Sequence, residues 1–278
     1  MVTASGPVTE ALLKLAKAGP VRTEVTCFSR FRYSALASSG VPSWKTMPGR
    51  RVMVKEVKSA FDVIDWAREN TFSSVCSCLA VHGAVLHLDG VERHPLSDKC
   101  IGVFDQTKAM HHPLTLGVQE RLRIPHSRWN EVREDDLTQS GYHILTKSPT
   151  AGVDCFVKQH QRSLFVCFQG HPEYEAQSLL GEYRRDIGRF LRRESDSYPT
   201  MPRGYFSRVS EEALVSFQHE ACSSRRPELL ASLPADRLTR DLRNTWHAAA
   251  KRIYSNWILY LSSQKARRSP PLAVGSFA

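Results

Sequence analysis

The stretch that most constrains the fold of this chain is Phe72–Asp89, FSSVCSCLAVHGAVLHLD. A short β-prone run, Phe72–Ser77, leads directly into Cys78, and an apolar pattern at helical spacing begins immediately afterwards. A strand that turns sharply into a helix exposes the residue at the corner. That residue lies at the helix N-terminus, where backbone N–H groups and the helix dipole stabilise an anion. The stretch therefore predicts a strand–turn–helix with Cys78 at a reactive corner.

The residues around this corner fit such a turn. Because the turn is tight, the positions two before and two after the corner need small side chains, and Cys76 and Ala80 occupy them. This is the pattern of a nucleophile elbow, with cysteine in place of serine. Taken alone, the stretch also allows a buried structural cysteine in an ordinary βα unit.

The seven cysteines indicate free thiols rather than a disulfide framework. Their number is odd, no CxxC pair occurs, and several lie in apolar strand-like runs. Cys76 and Cys78 form a CxC, but no second Cys/His pair stands at zinc-ligand spacing, so we expect no metal site. The seven are Cys27, Cys76, Cys78, Cys100, Cys155, Cys167 and Cys222.

The composition is typical of a soluble globular protein. The 278 residues are 41% hydrophobic and 24% charged, and this length suffices for one sizeable core with an appended lobe. No apolar run approaches the length of a membrane span, and the N-terminus lacks the basic and apolar regions of a secretory signal. We therefore expect no membrane partner and a cytoplasmic location.

The formal charge of +10 raises the question of nucleic-acid binding. The basic residues are spread along the chain, and clusters such as Arg184–Arg185 and Lys265–Arg268 fall on predicted helices or in the tail. No nucleic-acid-binding motif accompanies them, so we expect no nucleic-acid partner. Attraction of an anionic small molecule explains the charge equally well, and a solvated basic surface explains most of it.

Strands alternate with helices along the chain, which predicts an α/β fold with a mainly parallel sheet. Three short β runs separated by turns predict a meander within that sheet. The apolar spacing of residues 8–18 predicts a short amphipathic helix, and Val21–Phe28 is β-prone. The other predicted elements are a helix from Val57 to Asn70, strand Phe72–Ser77, helix Leu79–Leu88 with a Gly90 cap, strand Lys99–Phe104, a loop-rich stretch Gln106–Leu122, the meander Gly141–Thr146, Val153–Lys158 and Ser163–Phe168, a long helix from Ala176 to Leu191, a linker Tyr198–Pro202, and helices Glu211–Gln218 and Arg237–Leu261.

A second reactive group follows another predicted strand. Ser163–Phe168 opens into Gln-Gly-His171-Pro-Glu173, and groups at strand C-termini gather at one edge of an open α/β sheet. His171 could then take a proton from Cys78, and Glu173 could orient the imidazole as the acidic member of a triad does. The alternative for His171 and Glu173 is a polar turn before a helix that starts at a proline.

The elbow cysteine with a later FQGHPE resembles the class I glutamine amidotransferase superfamily, in which a Cys–His–Glu triad sits on a flavodoxin-like sheet flanked by helices. The chain is more closely similar to the homoserine O-succinyltransferase (homoserine O-acyltransferase) family, from about Val57 to Leu261. The stretches that carry this resemblance are CLAVHGA from Cys78, KCIGVF from Lys99, PHSR from Pro125, GHPEY from Gly170 with EYRRD from Glu182, and more weakly Thr245-Trp246 with Asn256-Trp257.

The resemblance implies roles for matching positions. Cys78 would be the nucleophile that takes the acyl group, His171 the general base and acid, and Glu173 its orienting carboxylate. Lys99 matches a lysine near the acyl end of the pocket, and Ser127 a serine that contacts substrate. Arg185 matches an arginine that holds the carboxylate of the amino acid, a role that suits a guanidinium fork. The backbone N–H of Leu79 is a candidate oxyanion donor. Without the resemblance, Lys99 and Arg185 would be taken for solvated surface residues.

The implied activity is a ping-pong transfer of a succinyl or acetyl group from acyl-CoA to the hydroxyl of L-homoserine, in methionine biosynthesis. Acyl-CoA would be a co-substrate, no cofactor would stay bound, and the protein would be a homodimer. The implied organisation is a divergent N-terminal segment 1–54, a catalytic α/β core 55–196, a helical C-terminal part 197–263 of the same domain, and a disordered basic tail 264–278.

One part of the sequence departs from the family pattern. A Thr-Gly-x-x-Pro-like loop, which contributes to the oxyanion hole and influences the choice of acyl donor, is absent from Ser38–Lys55. This departure leaves open an inactive relative with an incomplete oxyanion hole. A glutaminase-like hydrolase on the same scaffold is a further alternative, against which PHSR and the position of Arg185 speak.

Overall fold

The computed structural model describes residues 61–268, which form a six-stranded sheet with helices around it. The strands are β1 (Ser73–Ser77), β2 (His94–Lys108), β3 (Arg121–Glu131), β4 (His143–Ser148), β5 (Gly152–His160) and β6 (Ser163–Phe168). The helices are α1 (described over 61–70), α2 (Leu79–Asp89), α3 (Glu134–Gln139), α4 (Ser178–Leu191), α5 (Arg208–Ser223), α6 (Ala235–Asp241) and α7 (His247–Arg268), with 3₁₀ turns at Pro113–Thr115 and Pro227–Ser232.

The sheet is mixed rather than mainly parallel over the described residues, which corrects that part of the predicted fold class. The strand order is β1-β6-β5-β4-β2-β3, and β1 with β6 is the parallel pair. The other four neighbouring pairs are antiparallel. The physical reason is connection length, because short turns link β4 to β5 and β5 to β6, and a short turn can join only antiparallel neighbours. The predicted meander is confirmed as β4–β5–β6.

Helices cover both faces of the sheet, which confirms the α/β class. Side chains alternate between faces along each strand. On one face, Phe165 and Cys167 of β6 pack with Val81 and Val85 of α2. The opposite face of the sheet packs against α7, whose buried residues include Trp257.

The C-terminal helices build a second apolar cluster beside the sheet. It is centred on Tyr183 and Ile187 of α4 and includes Leu214, Leu238 and Trp246, all buried. An extended segment attaches this part to β2 through hydrogen bonds at Arg203: its N–H donates to the Ile101 carbonyl at 3.0 Å, and its carbonyl accepts from the Val103 N–H at 2.8 Å.

Several element boundaries differ from the sequence prediction. Strand β2 is longer than Lys99–Phe104, and β3 lies where no strand was predicted. Pro125 obscures β3 in the sequence because proline is rare inside central strands, but β3 is the edge of the sheet in this part of the chain, where proline is tolerated. The short α3 was also not predicted.

The predicted helix Arg237–Leu261 is two helices, α6 and α7, and this prediction was wrong. The backbone adopts an extended conformation at Leu242 (φ −67°, ψ 140°), and α7 starts only at His247. Between the two helices, Trp246 is buried and its Nε1 donates to the Tyr174 carbonyl at 2.8 Å. The break thus places the indole in the second cluster.

Some predictions lie outside the described residues. These are the helix at 8–18, the β-prone run Val21–Phe28, the atypical loop region Ser38–Lys55 and the tail beyond residue 268. Residues 264–268, predicted as disordered, are the last turn of α7. The division into segments stays a prediction. Within 61–268, none of the helices is long and apolar enough to cross a membrane.

Candidate active site

Cys78 lies at the strand-to-helix corner that the sequence predicts. It follows the last residue of β1 and precedes α2, with φ 50° and ψ −116°. A positive φ costs a non-glycine residue of order 1–3 kcal/mol and is typical of functional corners. Two hydrogen bonds hold the strained residue: its N–H donates to the Phe168 carbonyl at 2.8 Å, and its carbonyl accepts from the Val81 N–H at 3.0 Å. The residue is 8% exposed.

His171 is held by a loop that begins where β6 ends. Its backbone N–H donates to the Pro125 carbonyl on β3 at 2.7 Å. One residue earlier, the Gly170 N–H donates to Asp154 Oδ1 at 3.1 Å. A Cβ on Gly170 would lie 2.7 Å from that oxygen and from Ile124 Cγ2, so this position has room only for glycine. The loop is therefore fixed from both sides.

The structure brings Cys78, His171 and Glu173 together. His171 Nδ1 lies 2.9 Å from Glu173 Oε1. The other ring nitrogen is then the one left for the Cys78 thiol, whose charge and hydrogen bonding act to raise the pKa of His171. Ser77 Oγ donates to the same Glu173 oxygen at 2.9 Å and so fixes the carboxylate. The order thiol–imidazole–carboxylate is that of a nucleophilic triad.

The electrostatics favour a charged His171. Burial lowers the pKa of His171, but the negative charge of Cys78, the hydrogen bond to it and the Glu173 carboxylate raise this pKa to about 10. The charged imidazolium is thus the form of His171 that this environment favours. The Tyr174 ring stacks on the imidazole with a centroid distance of 4.0 Å and an angle of 18°.

The three predicted substrate-binding residues lie around α4. Lys99 Nζ lies 2.7 Å from Asp186 Oδ2, and Ser127 Oγ donates to Glu182 Oε2. Arg185 Nη2 lies 3.0 Å from Asp186 Oδ1, and its side chain is 48% exposed. Lys99 and Arg185 therefore both contact the Asp186 carboxylate, while Ser127 donates to the Glu182 carboxylate.

Ser127 contacts the thiol directly through its backbone, because its carbonyl oxygen lies 3.9 Å from Cys78 Sγ and accepts from it. Leu79 is the first residue of α2. Its N–H therefore has no acceptor within that helix and points out at the helix N-terminus, as the predicted oxyanion donor requires.

Sequence reasoning did not assign roles to Glu182, Asp186, Tyr174 and Ser77, although these residues hold the site together. One signal was available: Glu182 and Asp186 are four residues apart on a predicted helix, so they share a face. The contacts of Tyr174 and Ser77 depend on the tertiary arrangement and had no local signal.

Comparison with known proteins identifies the family. The model of the homoserine O-succinyltransferase family matches residues 54–268. The chain belongs to the homoserine O-succinyltransferase family. A homoserine O-succinyltransferase of Bradyrhizobium japonicum is 50% identical over 200 residues, 72% of this chain and 61% of that protein. One of Rhodopseudomonas palustris is 46% identical over 202 residues, 73% of this chain and 60% of that protein. The chain thus spans about 60% of the length of these relatives.

Among solved structures, the similarity is lower than to these homoserine O-succinyltransferases. A glutamine amidotransferase from Methylobacillus flagellatus is 16% identical, with a TM-score of 0.44 over 78% of this chain and 74% of that chain. One from Thermotoga maritima is 13% identical, with a TM-score of 0.42 over the same shares.

Proposed function

We propose that this chain transfers an acyl group from acyl-CoA to the hydroxyl of L-homoserine through a thioester on Cys78, a step of methionine biosynthesis. The observation that carries the proposal is that Cys78, and His171 paired with Glu173, follow the ends of two neighbouring parallel strands. Membership of the homoserine O-succinyltransferase family supports homoserine as the acceptor and favours succinyl over acetyl as the acyl group.

In the first half-reaction, the Cys78 thiolate attacks the thioester carbonyl carbon. The tetrahedral oxyanion forms next to the N-terminus of α2, where the Leu79 N–H can donate to it. The C–S bond to coenzyme A then breaks, and the His171 imidazolium gives its proton to the departing thiolate. The products are free coenzyme A and an acyl-Cys78 thioester, and His171 is left neutral.

In the second half-reaction, the homoserine hydroxyl oxygen attacks the acyl carbon, and neutral His171 accepts the proton of that hydroxyl. The thioester is uncharged, so the Cys78 charge that helped to raise the pKa of His171 is gone. Burial, which lowers this pKa, and the Glu173 carboxylate, which raises it, persist. The same imidazole can therefore act first as an acid and then as a base. Collapse of the second tetrahedral species releases O-acyl-homoserine and restores the thiolate and imidazolium.

The remaining groups fit substrate binding. Arg185 is exposed enough to reach an incoming carboxylate, and its fork suits bidentate binding. We further propose a cytoplasmic homodimer without nucleic-acid or membrane partners and without a resident cofactor, whose subunit number can be measured by light scattering.

The test uses the full chain with succinyl-CoA, acetyl-CoA or glutamine, each with and without homoserine. We expect release of coenzyme A and a mass increase of one acyl group on Cys78, followed by turnover only when homoserine is added. Cys78→Ala should show neither, whereas Cys222→Ala, which removes an exposed thiol on α5, should behave as the wild type. Ammonia from glutamine would instead support a hydrolase, and no acylation by either thioester would indicate an inactive relative.

A further inference from the structure

A hollow lies along one side of α4, and we call it the arginine hollow. Its volume is about 280 Å³, close to the roughly 300 Å³ at which small-molecule sites begin. Most of its lining residues recur three or four positions apart along α4 and its C-cap, so they form one stripe of the helix surface. The lining residues are Gly181, Arg184, Arg185, Gly188, Arg192 and Leu230.

Gly188 leaves space at one end of the arginine hollow. A Cβ on Gly188 would lie 3.1 Å from Arg192 Nη1 and 3.2 Å from Leu230 Cδ2. The guanidinium of Arg192 and the side chain of Leu230 therefore lie directly over the bare backbone of this glycine. A larger side chain at this position would occupy the space between them.

The arginines of the hollow keep donors that the neighbouring carboxylates do not use. Arg184 is exposed, and its guanidinium has no ion-pair partner among residues 61–268. Arg192 binds Glu194 through Nε at 2.7 Å and Nη2 at 3.3 Å, which leaves Nη1, the nitrogen over Gly188, for another acceptor. Arg185 contacts Asp186 and stays half exposed. The hollow is therefore positively charged and holds free guanidinium donors.

An ordinary structural role explains only part of this charge. Arginines near the C-terminus of a helix complement its dipole, and Arg192 caps α4 at that end. Arg184 lies near the middle of α4, where the dipole gives no such reason. Guanidinium groups around one hollow repel each other unless an anion lies between them. Phosphate oxygens are acceptors that guanidinium forks bind well, so the lining suits a phosphate better than an apolar ligand.

We propose that the arginine hollow binds a phosphate group of the acyl-CoA co-substrate through Arg184 and Arg192. Arg185 lies at its edge and contacts Asp186, which also binds Lys99, so the hollow adjoins the candidate active site. Coenzyme A carries its phosphates far from its sulfur. A phosphate subsite beside the candidate active site therefore leaves the thioester end free to reach Cys78. This inference rests on the proposed function, because it takes acyl-CoA as the acyl donor.

The readout is the ratio of kcat/KM for succinyl-CoA to kcat/KM for succinyl-pantetheine. The second thioester has the same reacting end but no phosphate. Loss of an arginine that binds phosphate lowers kcat/KM for succinyl-CoA alone, whereas a fault in folding or chemistry lowers both values. Succinyl-dephospho-CoA, which keeps the diphosphate but lacks the 3′-phosphate, shows which phosphate occupies the hollow.

The test compares Arg184→Gln, Arg192→Gln and the double variant with Arg208→Gln, which removes an arginine from the surface of α5. We expect each single variant to lower the ratio roughly tenfold and the double variant roughly a hundredfold. The loss should appear in KM for succinyl-CoA with kcat nearly unchanged, because the phosphate takes no part in bond making or breaking. In Arg208→Gln the ratio should stay within about twofold of the wild type.

Direct binding is a second measurement that does not depend on turnover. Adenosine 3′,5′-bisphosphate carries phosphates at the positions where coenzyme A has them, but it has no thioester. Isothermal titration calorimetry should show that it binds the wild type and Arg208→Gln alike. Its affinity for the double variant should be lower by roughly tenfold or more.

Two outcomes would overturn the inference. In one, the double variant leaves the ratio of the two thioesters unchanged. In the other, it binds adenosine 3′,5′-bisphosphate as tightly as the wild type does. Failure of the proposed function has a different signature, since neither thioester would then acylate wild-type Cys78.

Discussion

The backbone N–H of Cys78 donates a hydrogen bond of 2.8 Å to the carbonyl oxygen of Phe168. This bond continues the parallel pairing of β1 with β6 by one residue beyond Ser77. His171 follows Phe168 by three residues, so the bond fixes the corner that carries the thiol against the loop that carries the imidazole. The geometry of the reacting pair is therefore a direct consequence of one strand pairing.

Removal of the Cys78 thiol should lower the pKa of His171. The value of about 10 depends on the negative charge of Cys78, while burial acts in the opposite direction. In Cys78→Ala, we expect the pKa of His171 to fall clearly below this value, measured by NMR titration of labelled histidine. Cys222→Ala should leave it in place. An unchanged titration in Cys78→Ala would mean that thiol and imidazole do not interact.

Glu173 should matter much more than the hydroxyl that supports it. Glu173→Gln keeps the shape but removes the charge that stabilises the imidazolium, and we expect kcat to fall about a hundredfold or more. Ser77→Ala removes one hydrogen bond to Glu173 Oε1, and kcat should fall less than about tenfold. Steady-state kinetics with homoserine checks both variants. Equal losses would argue that Glu173 acts only by holding the loop.

Gly170→Ala should damage the site through packing alone. The added Cβ would lie 2.7 Å from Asp154 Oδ1 and Ile124 Cγ2, so the loop that carries His171 must move. We expect a loss of about 1–3 kcal/mol in the free energy of unfolding and a large loss of kcat. Gly181→Ala is the control, because nothing lies within 4 Å of a Cβ there and alanine favours the helix. Full activity of Gly170→Ala would contradict the close packing.

Asp154 should make stability fall as the pH rises through its titration. Burial raises the pKa of Asp154 from 3.8 to about 6, while the neighbouring His126 stays neutral because burial and Arg128 lower its pKa. Between pH 3.8 and about 6, Asp154 binds a proton in the folded state more often than in the unfolded state. The free energy of unfolding therefore falls as the pH rises.

The measurement is urea unfolding of the wild type and Asp154→Asn at several pH values between about 4 and 7. The asparagine can keep the hydrogen bond from the Gly170 N–H but does not titrate. Relative to this variant, the wild type should lose about 3 kcal/mol of unfolding free energy across the window, from about two pKa units at 1.36 kcal/mol each. A constant difference would show that Asp154 does not titrate there.

Local patterns in the sequence predicted much of the fold. The apolar periodicity placed α2, the central strands and α4, and Gly90 marked the end of α2, where it adopts φ 71°. The prediction failed where a local signal was overridden. Pro125 argued against a strand, yet an edge strand tolerates it, and the continuous apolar pattern around Trp246 hid the break between α6 and α7.

By itself, the sequence determined which types of reactive residue are present and that they follow strand ends. Cys78 stands at a tight corner, and His171 with Glu173 stands in a loop after another strand. Only the tertiary structure decided that Ser127 and Glu182, which are 55 residues apart, share a hydrogen bond, and that Lys99 reaches Asp186 across 87 residues. The reason is physical. Periodicity and turn chemistry act over a few residues, whereas contacts between distant residues depend on the order and direction in which the strands pair.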